Sequence, residues 1–141
     1  MKLVLDTNIV VAGLRSPQGA SAHILRDVIK DKVTALISVP LIFEYEATCL
    51  RPEHLLATGL DQETILNVLD VLAGACKPVV IDFSWRPQLR DPADEMVLEA
   101  AVNGQADAII THNMRDFSAV PGRFELDVMT PGQFLERRKG Q

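Results

Sequence analysis

The chain has 141 residues, 48% of them apolar and 23% charged, which is material for one folded core and leaves little length for a second. Disorder and collagen-like repeats are excluded. Fourteen Lys and Arg against nineteen Asp and Glu give a net charge of −5 and a pI near 5.1, which is not the balance of a duplex-DNA binder.

In chain order, five short apolar runs read as strands: Leu3 to Leu5, Thr34 to Ser38, Val79 to Ile81, Ala108 to Thr111 and Leu126 to Met129. Helical patterns fall between them at Asn8 to Leu14, Ser21 to Lys30, Pro40 to Leu50, Asp61 to Ala75 and Pro92 to Asn103, with a last one at Pro131 to Arg138. This alternation predicts an α/β fold, a three-layer sandwich with a mostly parallel central sheet of about five strands, joined by right-handed crossovers. One domain over residues 1–141 is expected. The run Leu3 to Leu5 is cut by Asp6, and no stretch approaches the roughly 18 apolar residues of a membrane span, so no membrane association and a cytoplasmic location are expected. Cys49 and Cys76 have no Cys-x-x-Cys spacing and no nearby His, and read as buried thiols.

In such a fold, strand ends and helix starts share one edge of the sheet, and ligands bind along it. Asp6 follows the first strand directly and precedes Thr7-Asn8; it can cap the first helix, but three polar residues in a row exceed what one cap requires. Glu44 and Glu46 lie in the helix opened by Pro40, and their periodicity does not separate them; Glu44 is nearer the helix start. In Asp91-Pro92-Ala93-Asp94, Asp91 suits a cap and Pro92 the first helical position. Asp94 lies three, four and seven residues before Val97, Leu98 and Ala101, on the stripe that faces the core, whereas Glu95 and Glu99 are expected to pair on another face. After the fourth strand, a short helical turn would set Asn113 and Asp116 on one side, while His112, His23 and His54 have no evident partners.

The carboxyl edge is therefore expected to gather Asp6, Glu44, Asp94 and Asp116, with Asn113, from four parts of the chain. Crowded carboxylates repel and push their pKa values up, and a hard divalent cation relieves this. Oxygen-only ligands suit Mg2+ or Mn2+ and point to hydrolysis of a phosphodiester or phosphoryl group. No Gly-rich phosphate loop, Ser-His-Asp set or nucleophilic cysteine competes.

The segments Leu3-Val4-Leu5-Asp6-Thr7-Asn8, Pro40-Leu41-Ile42-Phe43-Glu44-Tyr45-Glu46, Arg90-Asp91-Pro92-Ala93-Asp94 and Ala106-Asp107-Ala108-Ile109-Ile110-Thr111-His112-Asn113, with Asp116-Phe117, together resemble the PIN-domain family, and most of all its VapC-like toxins. Each motif alone is weak; four in order over nearly the whole chain are specific. The resemblance implies a Mg2+- or Mn2+-dependent ribonuclease acting on single-stranded RNA, with a quartet of acids at the metal. Position by position, it matches Asp6, Glu44 and Asp94 to the first three acids, favouring Glu44 over Glu46. At the fourth position many relatives carry Asp where this chain has Asn113, and Asp116 is the candidate to supply the charge. It also implies Thr7, Asn8, Thr111 and Arg115 beside the substrate; the basic residues Arg15, Arg86, Arg90, Arg115 and Arg137, near the edge and termini, are candidate backbone contacts. A homodimer and a cognate antitoxin that presents arginine to the acids are further implications.

Two other readings compete. A receiver-like phospho-acceptor domain would use Asp82 and Thr111, although no lysine follows the fifth strand. A PIN-like module that binds RNA or a partner without turnover is suggested by Asn113.

Overall fold

The first strand runs through the middle of the sheet. Leu3, Val4 and Leu5 of β1 (Lys2–Leu5) are completely buried, as a run with no polar alternation must be when both faces of a sheet are covered. In the computed structural model, which describes residues 1–82, 89 and 91–140, the chain then runs through α1 (Thr7–Arg15), α2 (Ala20–Ile29), β2 (Thr34–Ile37) and α3 (Val39–Cys49). It continues with α4 (Pro52–Thr58), α5 (Gln62–Ala75), β3 (Lys77–Pro78), α6 (Pro92–Asn103) and β4 (Ala108–Ile110). A 3₁₀ turn (Met114–Phe117), α7 (Val120–Arg123), β5 (Asp127–Met129) and α8 (Pro131–Lys139) complete it. Arg86 and Arg90 lie outside the described residues.

The five strands form one parallel sheet in the order β3-β2-β1-β4-β5, flanked by helices, which is the expected α/β sandwich. Register is set by Leu3 opposite Ala108 and Leu5 opposite Ile110, with Lys2 opposite Thr34 on the other side. Because β1 and β4 are adjacent, their carboxyl ends place Asp6 and Thr111 side by side, and the Asp6 N–H donates to the Ile110 carbonyl at 2.9 Å. The helices are capped by their own sequence: Asp6 opens α1, Ser38 opens α3 and Asp61 opens α5. Thr130 and Gln133 close a reciprocal capping box on α8.

Three local expectations are corrected. The third strand is Lys77–Pro78, two residues earlier than Val79 to Ile81; Val79 still donates to Ile37, but Val80 has left the sheet and is exposed. Proline is tolerated there because β3 is an edge strand. The helix α4 was not predicted: Pro52 starts it and Gly59 at φ +70° stops it, but it buries no residue fully and so shows no apolar stripe. Glu95 and Glu99 are buried rather than paired on an outer face, because α6 packs on β1, β2, β4 and α3 together and has almost no free side.

Gly104, which ends α6, marks the tightest approach to the sheet. A Cβ there would meet Leu36 Cδ1 at 2.6 Å, Val79 Cγ2 at 2.8 Å and the Ala100 carbonyl at 2.9 Å. Gly104→Ala is therefore expected to destabilise by about 1–3 kcal/mol through overpacking, read as a fall in the urea midpoint at unchanged m-value. Cys49 is buried and Cys76 half-buried, both free, and burial raises their thiols to about 12 and about 11, so they are inert packing groups. Among the described residues no helix is long and apolar enough to cross a membrane.

Candidate active site

The carboxyl end of β1 delivers Asp6 into a position that is 7% exposed. One oxygen, Oδ1, accepts from the Thr7 N–H at 2.8 Å, so the capping role is real. The other, Oδ2, accepts from the Thr111 hydroxyl at 2.6 Å. Burial pushes the Asp6 carboxyl upward, the bonds from Thr111 and Thr7 pull it back, and the charges of Asp116 and Asp91 raise it again. The net shift is upward.

Thr111 is fully buried and serves as the junction of the site. Its Oγ1 donates to Asp6 and accepts from the Asn113 N–H at 2.9 Å, with the Asn8 amide at 3.4 Å. The Asn113 side-chain amide in turn donates to Asp116 Oδ2 at 2.7 Å. Asp6, Thr111, Asn113 and Asp116 thus form one continuous hydrogen-bonded chain across the ends of β1 and β4. Asp116 is itself exposed, but its neighbour Phe117 is completely buried and anchors the turn that presents it.

Asp94, in the first turn of α6, is buried as its phase on the helix predicts. Its carboxyl is raised to about 7, first by burial and then by the charges of Asp6, Asp91, Asp116 and Glu95. Asp91 caps α6 through a bond from the Ala93 N–H at 2.9 Å and also belongs to this crowd, a role that the capping grammar concealed. Asp91, Asp94, Arg115 and Asp116 line a cleft of about 570 Å³ together with Leu89 and Ser118.

Glu44 is placed differently. It sits half-buried on α3, its Oε1 accepting from the Thr48 hydroxyl at 3.1 Å, and it is not among the charges that raise Asp6 or Asp94. Glu46 is also half-buried. Between them stands Tyr45, the only tyrosine in the chain, buried with its hydroxyl donating to the Leu5 carbonyl at 2.5 Å. That bond ties α3 to the peptide just before Asp6. The one signal for Tyr45 in the sequence is a lone tyrosine flanked by two candidate acids. His112, without an evident partner in the sequence, has its Nε2 2.9 Å from the Oγ of buried Ser21, and its backbone N–H meets Asn8 Oδ1 at 3.3 Å. The Asp82 N–H donates to Asn103 Oδ1 at 2.9 Å, at the opposite end of α6 from Asp94.

The donors gathered here are hard oxygens, and among the described residues no cation pairs with Asp94. The Thr7 hydroxyl is buried without a hydrogen-bond partner among the described residues. Such a set fits a hard divalent ion. Among the described residues no three His, Cys, Asp or Glu side chains stand close enough to form a complete metal site unaided.

The fold and this arrangement define a parallel α/β protein with an acidic cleft at the carboxyl edge of its sheet. The chain belongs to the PIN-domain family, whose model matches residues 2–115, and PIN domains are generally nucleases. An uncharacterized protein of Methanocaldococcus jannaschii is 24% identical over 144 aligned positions, covering 96% of this chain and 90% of that protein. Among solved structures, VapBC2 from Rickettsia felis bound to a DNA fragment from its promoter matches in fold at a TM-score of 0.64 and 16% identity, over 92% of this chain and 98% of that one.

Proposed function

We propose that this PIN domain is a metal-dependent endoribonuclease that cleaves single-stranded RNA, the toxin half of a toxin-antitoxin pair. The observation that carries the reading is the gathering of carboxylates at one edge: Asp94 is buried on its helical stripe beside Asp6, Asp91 and Asp116, and a cation joining them relieves the crowding.

Asp6, Asp94 and Asp116 are the residues that would hold Mg2+ or Mn2+, with Glu44 and Asn113 as further oxygen donors. When bound, the ion supplies charge neutralisation at the phosphoryl oxygens and a lowered pKa for water.

The rest falls to the chain's own groups. Thr111 commits its proton to Asp6 Oδ2, and Asn113 commits an amide proton to Asp116 Oδ2, so both carboxylates are fixed in orientation before substrate arrives. Asn8 braces Thr111 from α1 and holds the His112 backbone. Arg115, on the cleft wall with Asp116, would contact a non-bridging phosphate oxygen. Thr7 contributes a buried hydroxyl next to Asp6. Water attacks phosphorus in line, its P–O bond forms as the bond to the leaving oxygen breaks, and the proton the water gives up to solvent balances the one the leaving oxygen takes from it.

The fold likeness to VapBC2 and the acidic cleft support a partner protein that presents arginine to Asp6, Asp94 and Asp116, a cation standing in for the metal. A homodimer and a cytoplasmic location belong to the same reading. The test is incubation of the purified chain with a fluorescent single-stranded RNA in Mn2+, in Mg2+ and in EDTA. Cleavage with either ion, its loss in EDTA and a drop of about 10-fold or more in Arg115→Ala support the proposal. RNA that is bound but stays intact in both ions replaces it with the non-cleaving binding module that Asn113 suggested.

A further inference from the structure

The opposite edge of the sheet carries a second, oppositely charged feature. Here β1 and β2 begin and α8 ends, and between them lies a hollow of about 160 Å³ lined by Lys32, Val33, Thr34, Phe134, Arg137 and Arg138. Arginines in the last turn of α8 are favoured by the helix dipole and need no further reason. What the dipole does not explain is that Lys32, from the turn before β2, borders the same hollow.

Each of the two guanidiniums also has a carboxylate partner. Arg138 is anchored at 2.5 Å by Asp27, a buried carboxylate of α2, and lies over the Phe134 ring at 5.7 Å. Burial alone would raise the Asp27 carboxyl; the hydrogen bond from Arg138 and the charges of His23, Arg138 and Lys32 outweigh it, so it stays ionised. Arg137 is anchored at 3.0 Å by Asp127 at the start of β5, with Met129 sulfur at 3.7 Å from the same nitrogen. Both contacts use Nη1 only, and a guanidinium carries five N–H donors, so each arginine is oriented and keeps free donors. Lys32 is exposed and, among the described residues, engaged in no ion pair, and Thr34 lines the same space.

We propose that this hollow binds a phosphate group: two guanidiniums, each anchored through one nitrogen alone, and the Lys32 ammonium border a space with room for a tetrahedral oxyanion. The site is remote from the acidic cleft and does not depend on the nuclease reading. Both free phosphate and the terminal phosphate of a nucleotide carry the chemistry it recognises.

The test is an NMR titration of the full chain in the absence of divalent ions, with sodium phosphate against sodium chloride at constant ionic strength. Amides 32–34 and the Nε–H groups of Arg137 and Arg138 are expected to shift saturably with phosphate and not with chloride. In a Lys32→Ala/Arg137→Ala variant, whose two side chains are exposed and leave the Asp27–Arg138 pair intact, the affinity should fall at least about tenfold. A second arm compares a 5′-phosphorylated dinucleotide with its unphosphorylated counterpart: saturable shifts from the phosphorylated form alone assign the ligand to nucleic-acid ends, and shifts from inorganic phosphate alone assign it to free phosphate. Shifts that match chloride, an affinity unchanged in the variant, or equal binding of both dinucleotides would overturn the proposal.

Discussion

Asp94→Asn is expected to abolish divalent-ion-dependent RNA cleavage, by about a thousandfold or more, and at the same time to raise the ion-free melting temperature at neutral pH. The two effects have one cause. The wild-type carboxyl titrates at about 7 in the folded chain, against roughly 3.9 when unfolded. A folded-state pKa above the unfolded one means that the native form holds its proton more tightly, so this group favours folding most at low pH. That contribution is lost as pH rises from roughly 4 to about 7 and stays lost above it. The isosteric amide carries no charge and removes this slope, with an expected gain on the order of 1–3 kcal/mol at pH 7.5 once partial screening is allowed for. Asp27 acts in a different window with the opposite sign: its folded pKa is lowered, so its contribution is present above the unfolded value and disappears as pH falls through the folded one. Thermal melts of wild type and variant between pH 4 and 8 in EDTA, beside cleavage assays in Mn2+, check both halves. Retained cleavage in the variant removes Asp94 from the chemistry, and a melting temperature that is unchanged or lower denies the crowding.

Thr111→Val is the second large expected effect. Valine keeps the shape of threonine and deletes the one hydroxyl that links Asp6 to Asn113. The Thr111 bond is the largest influence lowering the Asp6 carboxyl, so its loss drives Asp6 further up and frees it to rotate. It also leaves the Asn113 N–H without its acceptor. The expected outcome is a loss of about 10–100-fold in cleavage, the usual scale for a group that orients a ligand, with about 1–3 kcal/mol of stability. The limb of the pH–rate profile on the acid side should move to higher pH, a change that a purely structural lesion does not produce. A Thr111→Ser variant, which restores the hydroxyl, should recover most of the activity. Failure of serine to rescue, or an unmoved acid limb in the valine variant, rejects the orienting role.

What the sequence made legible follows from how local each cue was. Asp6 after a three-residue apolar run and Asp94 at the head of a Val97, Leu98, Ala101 stripe could be placed at the sheet edge because strand endings and helical phase are properties of a few consecutive residues. The helix over Pro92 to Asn103 matched to the residue because Asp91-Pro92 states its start in two letters. Glu95 and Glu99 misled because phase assumes that a helix has a wet side, and α6 is covered by three strands and another helix. Thr111 was legible only through the family likeness, which sets it beside the substrate: a threonine at a strand end has no pattern of its own, and its bond to Asp6 spans 105 residues of chain. Tyr45 shows the same limit, since its hydroxyl reaches across 40 residues to the Leu5 carbonyl. Glu44 marks the opposite case. The family pattern selects it over Glu46, while its hydrogen bond lies within its own helix, to Thr48.

The most direct measurement is a crystal of the wild-type chain soaked in Mn2+ and read by anomalous scattering. The account predicts a peak among Asp6, Asp94 and Asp116 that vanishes in crystals of Asp94→Asn. Density confined to other parts of the surface, or a peak in the cleft that survives in the variant, would contradict it.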